Sequence, residues 1–485
     1  MSAKLPKIKL PRKPKYVALD NTIEFLSLFL KIEKKYDHCF ILESMGEESF
    51  DSRYGVIGFS PEMLISSRDG KLFIDGKEYE VDNPYYALRE IIPVDIIGRN
   101  YAGGLVGYIG YDAMNYFEPS LQLKSHPTID AFQFGVYTDG VIFDSMTGEL
   151  VYFYFNKDRS EIIKNIAKTS LPDTHLSVEF SSASKTKEEH SRMVEDAKVE
   201  IVKGNTFQCQ IGFQNNYKIS GDATKIYVKL REINPSPHMF YVKFGETKLI
   251  GASPELLFRL RQGEVESFPL AGTTKRGANS EEDRDLARVL LNDPKEIAEH
   301  NMLVDLHRND VGRLARFGSV KVRRLMDIKK FSHVQHISSE VVGLIDYNDD
   351  MFSGLAKVFP AGTLSGAPKI ESMKIIQEIE GDARGPYGGS VGHFGFNGDS
   401  THVIPIRTLF LNDEDAYARA SGGIVYDSIA ENEYLEIKRK SAAVAKALEV
   451  FMDNEPATGE NVTNTASEIT NKTGNKSSEK GHNKK

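Results

Sequence analysis

The sequence predicts an α+β fold, on three observations. From residue 16 to about 155, short alternating segments such as 71–81 and 135–143 are punctuated by Gly, Asp and Asn, the pattern of strands separated by turns. At Thr186 the pattern becomes helical. From there to about Met452, strands such as 240–244 are mixed with long helices and several glycine-rich turns.

In chain order, residues 1–15 are basic and broken by Pro6, Pro11 and Pro14, with no apolar stretch of the kind a secretory signal needs, so a flexible arm is expected. Residues 16–180 form a first, strand-rich domain. Its last part, from residue 156, is polar and carries one amphipathic patch at 162–166. Thr186 and Glu189 have capping-box spacing, and Met193, Ala197 and Ile201 follow on one stripe, which places the start of a second domain at 184. That domain runs to 452. Residues 453–485 have almost nothing apolar to offset their ordering entropy, so a disordered tail is expected.

With 485 residues and 40% hydrophobic composition, the chain can bury a large core. A net charge of −8 without a concentrated basic face gives no electrostatic reason for nucleic-acid binding, so an anionic ligand must be held by locally placed cations. No apolar run approaches the roughly 20 residues needed to cross a bilayer. Only Cys39 and Cys209 occur, far apart, which excludes a disulfide framework and a cysteine-rich metal site. A soluble protein of a reducing cytoplasm is expected.

Two helices carry Glu-x-x-Glu pairs. Asp293 is a good N-cap and Pro294 suits the first turn of a helix on which Glu296 and Glu299 share a face. Glu433 and Glu436 repeat the spacing, with Lys440 one turn on, along a helix ending near Leu448. Such pairs suit a hard, oxygen-seeking cation, for which Mg²⁺ is the usual choice. They are equally the composition of a solvated helix face, and Glu436 with Lys440 can be an ordinary ion pair. Glycine-rich turns at 270–274, 361–366, 385–389 and 421–424 let backbone N–H groups approach an anion, or merely reverse the chain. None is a phosphate loop or a dinucleotide fingerprint.

Read in order, SPELLF at 253–258, PLAGTTKRG at 269–277, EHNMLVDLHRNDVGR at 299–313, HVQHISSEV at 333–341, FPAGTLSGAPK at 359–369 and ASGGIVYDS at 420–428 resemble the chorismate-utilising enzymes. ILES at 41–44 and NPSPHMF at 234–240 extend the resemblance to the tryptophan-regulated component I subunits of anthranilate synthases. The resemblance implies a large antiparallel, sandwich-like β core with flanking helices. Its reaction would convert chorismate and ammonia to anthranilate and pyruvate. Ala271 stands where aminodeoxychorismate synthases have a lysine nucleophile, and Gln208 where isochorismate and salicylate synthases have the lysine that activates water. The stretch after it, Cys209 to Phe213, departs from the commoner VVLSR-like form.

By the same resemblance, Mg²⁺ held by Glu299 and Glu436, with Glu296 and Glu433 close by, would bind the ring carboxylate. Arg407 and Tyr387 would grip the enolpyruvyl carboxylate. The backbone of the Ser421, Gly422 and Gly423 turn, with Lys440, would reach the other. Glu255 would be the general acid and His336, beside His333, would serve the loss of pyruvate, while Gly272, Thr273 and Thr363 would line the ring pocket. Neither cysteine sits in a glutaminase nucleophile turn, so a separate glutamine amidotransferase subunit, and hence a hetero-oligomer (dimer or tetramer), is implied. L-Tryptophan is implied as inhibitor, bound by Ser44, Pro237, His238 and Met239. His238 replaces the usual tyrosine. Two other readings compete: aminodeoxychorismate synthase, which shares nearly every motif, and a tryptophan-binding regulatory homologue, against which the intact carboxylate, His336 and Arg407 positions argue.

Overall fold

A computed structural model describes residues 4–45, 53–98, 101–330 and 334–452. The expected disordered tail at 453–485 and His333 lie outside the described residues.

Among the described residues two sheets of twelve strands each are formed, every strand pair antiparallel; eleven strands of each follow one order, with Gly366–Ala367 added beside Gln208–Gly221 in the first and Lys321–Lys330 beside Val334–Leu344 in the second. In the first, the order is Lys15–Ala18, Glu149–Tyr154, Asp139–Asp144, Tyr54–Phe59, His38–Glu43, His238–Phe244, Thr247–Ser253, Thr408–Asn412, Asp415–Ile424, Gln208–Gly221 and Leu176–Ala183. In the second it is Leu270–Lys275, Val334–Leu344, Glu264–Ser267, Leu256–Arg261, Ser400–Val403, Ser390–Gly395, Gly104–Ile109, Phe132–Tyr137, Met63–Arg68, Lys71–Ile74 and Lys77–Tyr79. The α+β class and the sandwich-like antiparallel core are as the sequence leads one to expect.

Alternation explains the pairing of faces. Along Met63–Arg68 the residues Met63, Ile65 and Ser67 are buried and their neighbours are not, the period of two that a pleated strand imposes. The inner faces of both sheets meet in one core, where Phe40 of the first sheet packs edge-on against Tyr137 of the second at 4.7 Å. A pair of this geometry adds about 0.5–1.5 kcal/mol beyond its buried area. The outer face of the first sheet is covered by the helices Phe25–Glu33, Ser160–Lys168, Thr224–Ile233 and Ala430–Glu449 over a second core. Helix Pro294–Gly312 lies against Leu270–Lys275 and Val334–Leu344.

Three features add to these expectations. Strands from the two sides of 180–184 alternate within each sheet: His38–Glu43 pairs with His238–Phe244, and Gly104–Ile109 with Ser390–Gly395. Residues 4–15, expected as a free arm, lie against the body. Leu5, Ile8 and Leu10 supply an apolar side that packs on the main core, and Ile8 N–H donates to Ile91 O at 2.8 Å. The segments 71–81 and 135–143 are each two short strands, broken at Gly76, with φ of 78°, and at Thr138.

Candidate active site

Glu255 lies in the turn between Thr247–Ser253 and Leu256–Arg261, and the turn is fixed locally. Ser253 Oγ donates to Ile404 O at 2.6 Å, Glu255 N–H donates to Ser253 Oγ at 3.2 Å, and Ile404 N–H donates to Glu255 O at 3.0 Å. Thr363 Oγ1 donates to the Glu255 carboxyl at 2.7 Å. Burial pushes this carboxyl above its usual range, against the opposing pull of Thr363, Lys440 and Arg407. Arg407 stands in the left-handed region at φ 51°, a conformation costing a non-glycine residue about 1–3 kcal/mol, and burial lowers the pKa of its guanidinium while Glu255 opposes the shift.

His336, on Val334–Leu344, pairs in register with Thr273 on Leu270–Lys275. Its Nδ1 lies 3.1 Å from Gly272 O and 3.0 Å from Thr273 Oγ1. A carbonyl only accepts, so Nδ1 is the donor and Nε2 is left as the basic nitrogen. Burial lowers the pKa of this imidazole and Arg407 adds to the effect, against the opposing pull of the bond to Gly272, and the net shift favours the neutral form.

The third group gathers around Asp415–Ile424. Tyr387 Oη lies 2.8 Å from Ser421 Oγ, and Ser421 Oγ donates to Gln210 Oε1 at 3.2 Å. Lys440 Nζ donates to Ser421 O at 2.9 Å. At Gly423 an added Cβ would stand 2.6 Å from Gln208 Nε2, so glycine is what admits that amide to the turn. Behind this group, buried Glu380 binds Arg384 at 2.8 Å and Arg419 at 2.7 Å, and Arg384 also donates to the carbonyls of Leu364 and Gln210. One carboxylate thus ties the Gly362–Leu364 turn to the strands Gln208–Gly221 and Asp415–Ile424.

The four glutamates of the two helices are divided. Glu296 reaches within 3.1 Å of the Cβ position of Gly272, and Glu433 within 3.1 Å of that of Gly422. Glu436 pairs with Lys440 at 2.7 Å, and Glu433 accepts from Ser428 at 2.8 Å. Glu299 is exposed. Among the described residues no three acidic or histidine side chains gather as cation ligands. One glutamate of each pair, Glu296 and Glu433, does face a glycine turn of the site. Burial, with Glu436 alongside, raises the pKa of Glu433 against the bond from Ser428 and the nearby Lys440, and the carboxylate oxygens of these residues are donors of the kind a hard cation takes.

The regulatory candidates lie elsewhere. A cavity of about 470 Å³ opens between the sheets, lined among others by Ser44, His238, Met239, Tyr101, Arg261 and His393. Three of the four expected residues are on its wall, and Pro237, half-buried, precedes them in the turn. Sequence reasoning missed Gln210 and the Glu380–Arg384–Arg419 network. Their only signal was the altered stretch after Gln208 and the arginines flanking two glycine turns.

The sequence pattern of the family described as chorismate binding enzyme matches residues 37–446. A protein from Leptospira biflexa named anthranilate synthase component 1 is 58% identical over 458 residues, covering 93% of this chain and 99% of its own. One of the same name from Methanothermobacter thermautotrophicus is 40% identical, covering 89% and 94%. The crystal structure of anthranilate synthase component I from Streptococcus pneumoniae superposes with a TM-score of 0.74 at 32% identity, covering 82% of this chain and 93% of that one. The menaquinone-specific isochorismate synthase of Escherichia coli, at 17% identity and a TM-score of 0.67, shares the fold.

Proposed function

Because the chain belongs to the chorismate binding enzyme family, a family of chorismate-utilising lyases, we propose that it converts chorismate and ammonia to anthranilate, pyruvate and water. The observation that carries this reading is Glu255, a carboxyl whose pKa burial raises, bonded to Thr363 and with Arg407 and Lys440 nearby. The C4 hydroxyl of chorismate is a poor leaving group. As ammonia forms its bond to C2, the C4–O bond breaks and Glu255 delivers the proton that lets the oxygen depart as water. Nε2 of the neutral His336 then takes the proton from C2, and the enolpyruvyl group leaves as pyruvate while the ring becomes aromatic. Arg407 and Tyr387 hold the enolpyruvyl carboxylate through charge-assisted hydrogen bonds, and the Ser421–Gly423 backbone with Lys440 holds the other, while Gly272, Thr273 and Thr363 flank the ring.

Glu299 and Glu436, with Glu296 and Glu433 nearby, would hold Mg²⁺, which would supply a Lewis acid for the ring carboxylate. Ala271 is buried and offers no amine for a covalent route, which disfavours aminodeoxychorismate synthesis, and Gln208 replaces a water-activating lysine. Both cysteines are buried, and burial raises both thiols well above their ordinary range. Glutamine hydrolysis therefore belongs to an amidotransferase partner. The cavity between the sheets is the site proposed for inhibitory L-tryptophan. No described helix is long and apolar enough to cross a membrane, and the cytoplasm is the proposed location.

Pyruvate release from chorismate tests the reading: the purified chain should release it with ammonium but not with glutamine, and glutamine should serve once an amidotransferase subunit is added. Release independent of ammonium would contradict it.

A further inference from the structure

Two buried polar side chains, Ser421 and Gln210, stand in line behind the hydroxyl of Tyr387. Tyr387 Oη lies 2.8 Å from Ser421 Oγ, which lies 3.2 Å from Gln210 Oε1, and none of the three residues is more than 7% exposed. An amide oxygen only accepts, so the single proton of the Ser421 hydroxyl is committed to Gln210. Ser421 Oγ must then accept the phenolic proton, which burial keeps on Tyr387. In this arrangement the Tyr387 proton points away from the site and its lone pairs are what remain for a ligand. An ionised carboxylate has no proton to give, and a phenol so directed repels it.

Half a turn of the Gln210 amide reverses the line. With Nε2 donating to Ser421, the serine donates to Tyr387 and the phenolic proton turns outward. The backbone of Gln210 is fixed, since its N–H donates to Ser365 O at 2.9 Å and its carbonyl accepts from Arg384 at 2.8 Å. Only the side chain is left to move. It stands opposite Gly423 in the sheet, where a Cβ would come within 3.0 Å of Gln210 Nε2, so glycine leaves the amide the volume in which to turn.

We propose that Gln210 is a positioning residue that sets the donor direction of the Tyr387–Ser421 pair, its amide turning over as the substrate carboxylate arrives. This rests on the reading of Tyr387 as a carboxylate-binding group in chorismate turnover. A carboxylate at this position would lock the line in its inward sense, whereas its protonated form could donate and release it.

The test is the ammonium-dependent KM for chorismate. Gln210→Glu should raise KM about tenfold or more at pH 8.5, the worth of one hydrogen bond to a charged group, and the excess over wild type should shrink as pH falls towards 6. In the Tyr387→Phe background, which has no hydroxyl to direct, the same substitution should change KM less than about twofold. Gln210→Met removes the acceptor, freeing the Ser421 proton for Tyr387, so its KM should fall below that of wild type; this variant decides the matter if Gln210→Glu does not fold. A penalty equal in both backgrounds or flat with pH, or a raised KM for Gln210→Met, would overturn the proposal while leaving the functional reading intact. A wild-type chain that makes no anthranilate would remove the functional reading and this proposal with it.

Discussion

The proton delivery proposed for Glu255 would depend on opposed influences on one carboxyl. Burial raises its pKa, and the bond from Thr363 lowers it by favouring the carboxylate. The active form is protonated, so its contribution to kcat is present at low pH and is lost as pH rises through the folded pKa. Thr363→Val removes the lowering influence, and the alkaline limb of the kcat–pH profile should therefore move to higher pH; a limb that stays or moves down would contradict the assignment. Glu255→Gln should lower kcat by about 10²–10⁴-fold. His336→Met should let the aminated intermediate accumulate ahead of anthranilate, as chromatography of quenched reactions would show. These residues were legible because each sits in a contiguous motif. Gln210 was legible only as a departure from one, since its partner Ser421 is 211 residues away and no local pattern encodes that contact.

At the scale of elements, what the sequence announced was what is local. The Thr186–Glu189 capping box forms with both of its bonds, and Asp293 caps Pro294–Gly312 by accepting from the N–H groups of Lys295 and Glu296. Helix Phe25–Glu33 and helix Pro84–Ile91 went unread within the strand-rich stretch, because each is short enough for its apolar residues to pass for strand alternation. Buried ion pairs join distant elements and leave no such trace. Glu380 holds two arginines that are themselves buried, so Glu380→Ala strips Arg384 of its carboxylate and leaves Arg419 only Asp382, 3.2 Å away. It should cost about 3–5 kcal/mol in urea unfolding. A loss under about 1 kcal/mol would mean that the arginines find other partners.

At the scale of the whole molecule, shared strands join the two candidate sites. Arg261 and Val403 on the cavity wall belong to Leu256–Arg261 and Ser400–Val403, which pair with one another and lead to Glu255 and towards Arg407. If tryptophan occupies the cavity and inhibits, the coupling is reciprocal, and chorismate must weaken tryptophan binding by the factor by which tryptophan weakens that of chorismate. Calorimetric titration should show this, and Ser44→Arg, which drives a long charged side chain into the cavity, should abolish tryptophan binding. Undiminished binding to Ser44→Arg would place the inhibitor elsewhere. The interleaving of strands from both ends of the chain was hidden in the sequence, since long-range pairing has no local period. The central claim remains the chemistry. Its most direct measurement is the product formed by the purified chain from chorismate, Mg²⁺ and isotopically labelled ammonium at mildly alkaline pH. The account predicts fluorescent anthranilate carrying the labelled nitrogen, with one pyruvate for each; isochorismate, or an aminated product that keeps its enolpyruvyl or 4-amino group, would contradict it.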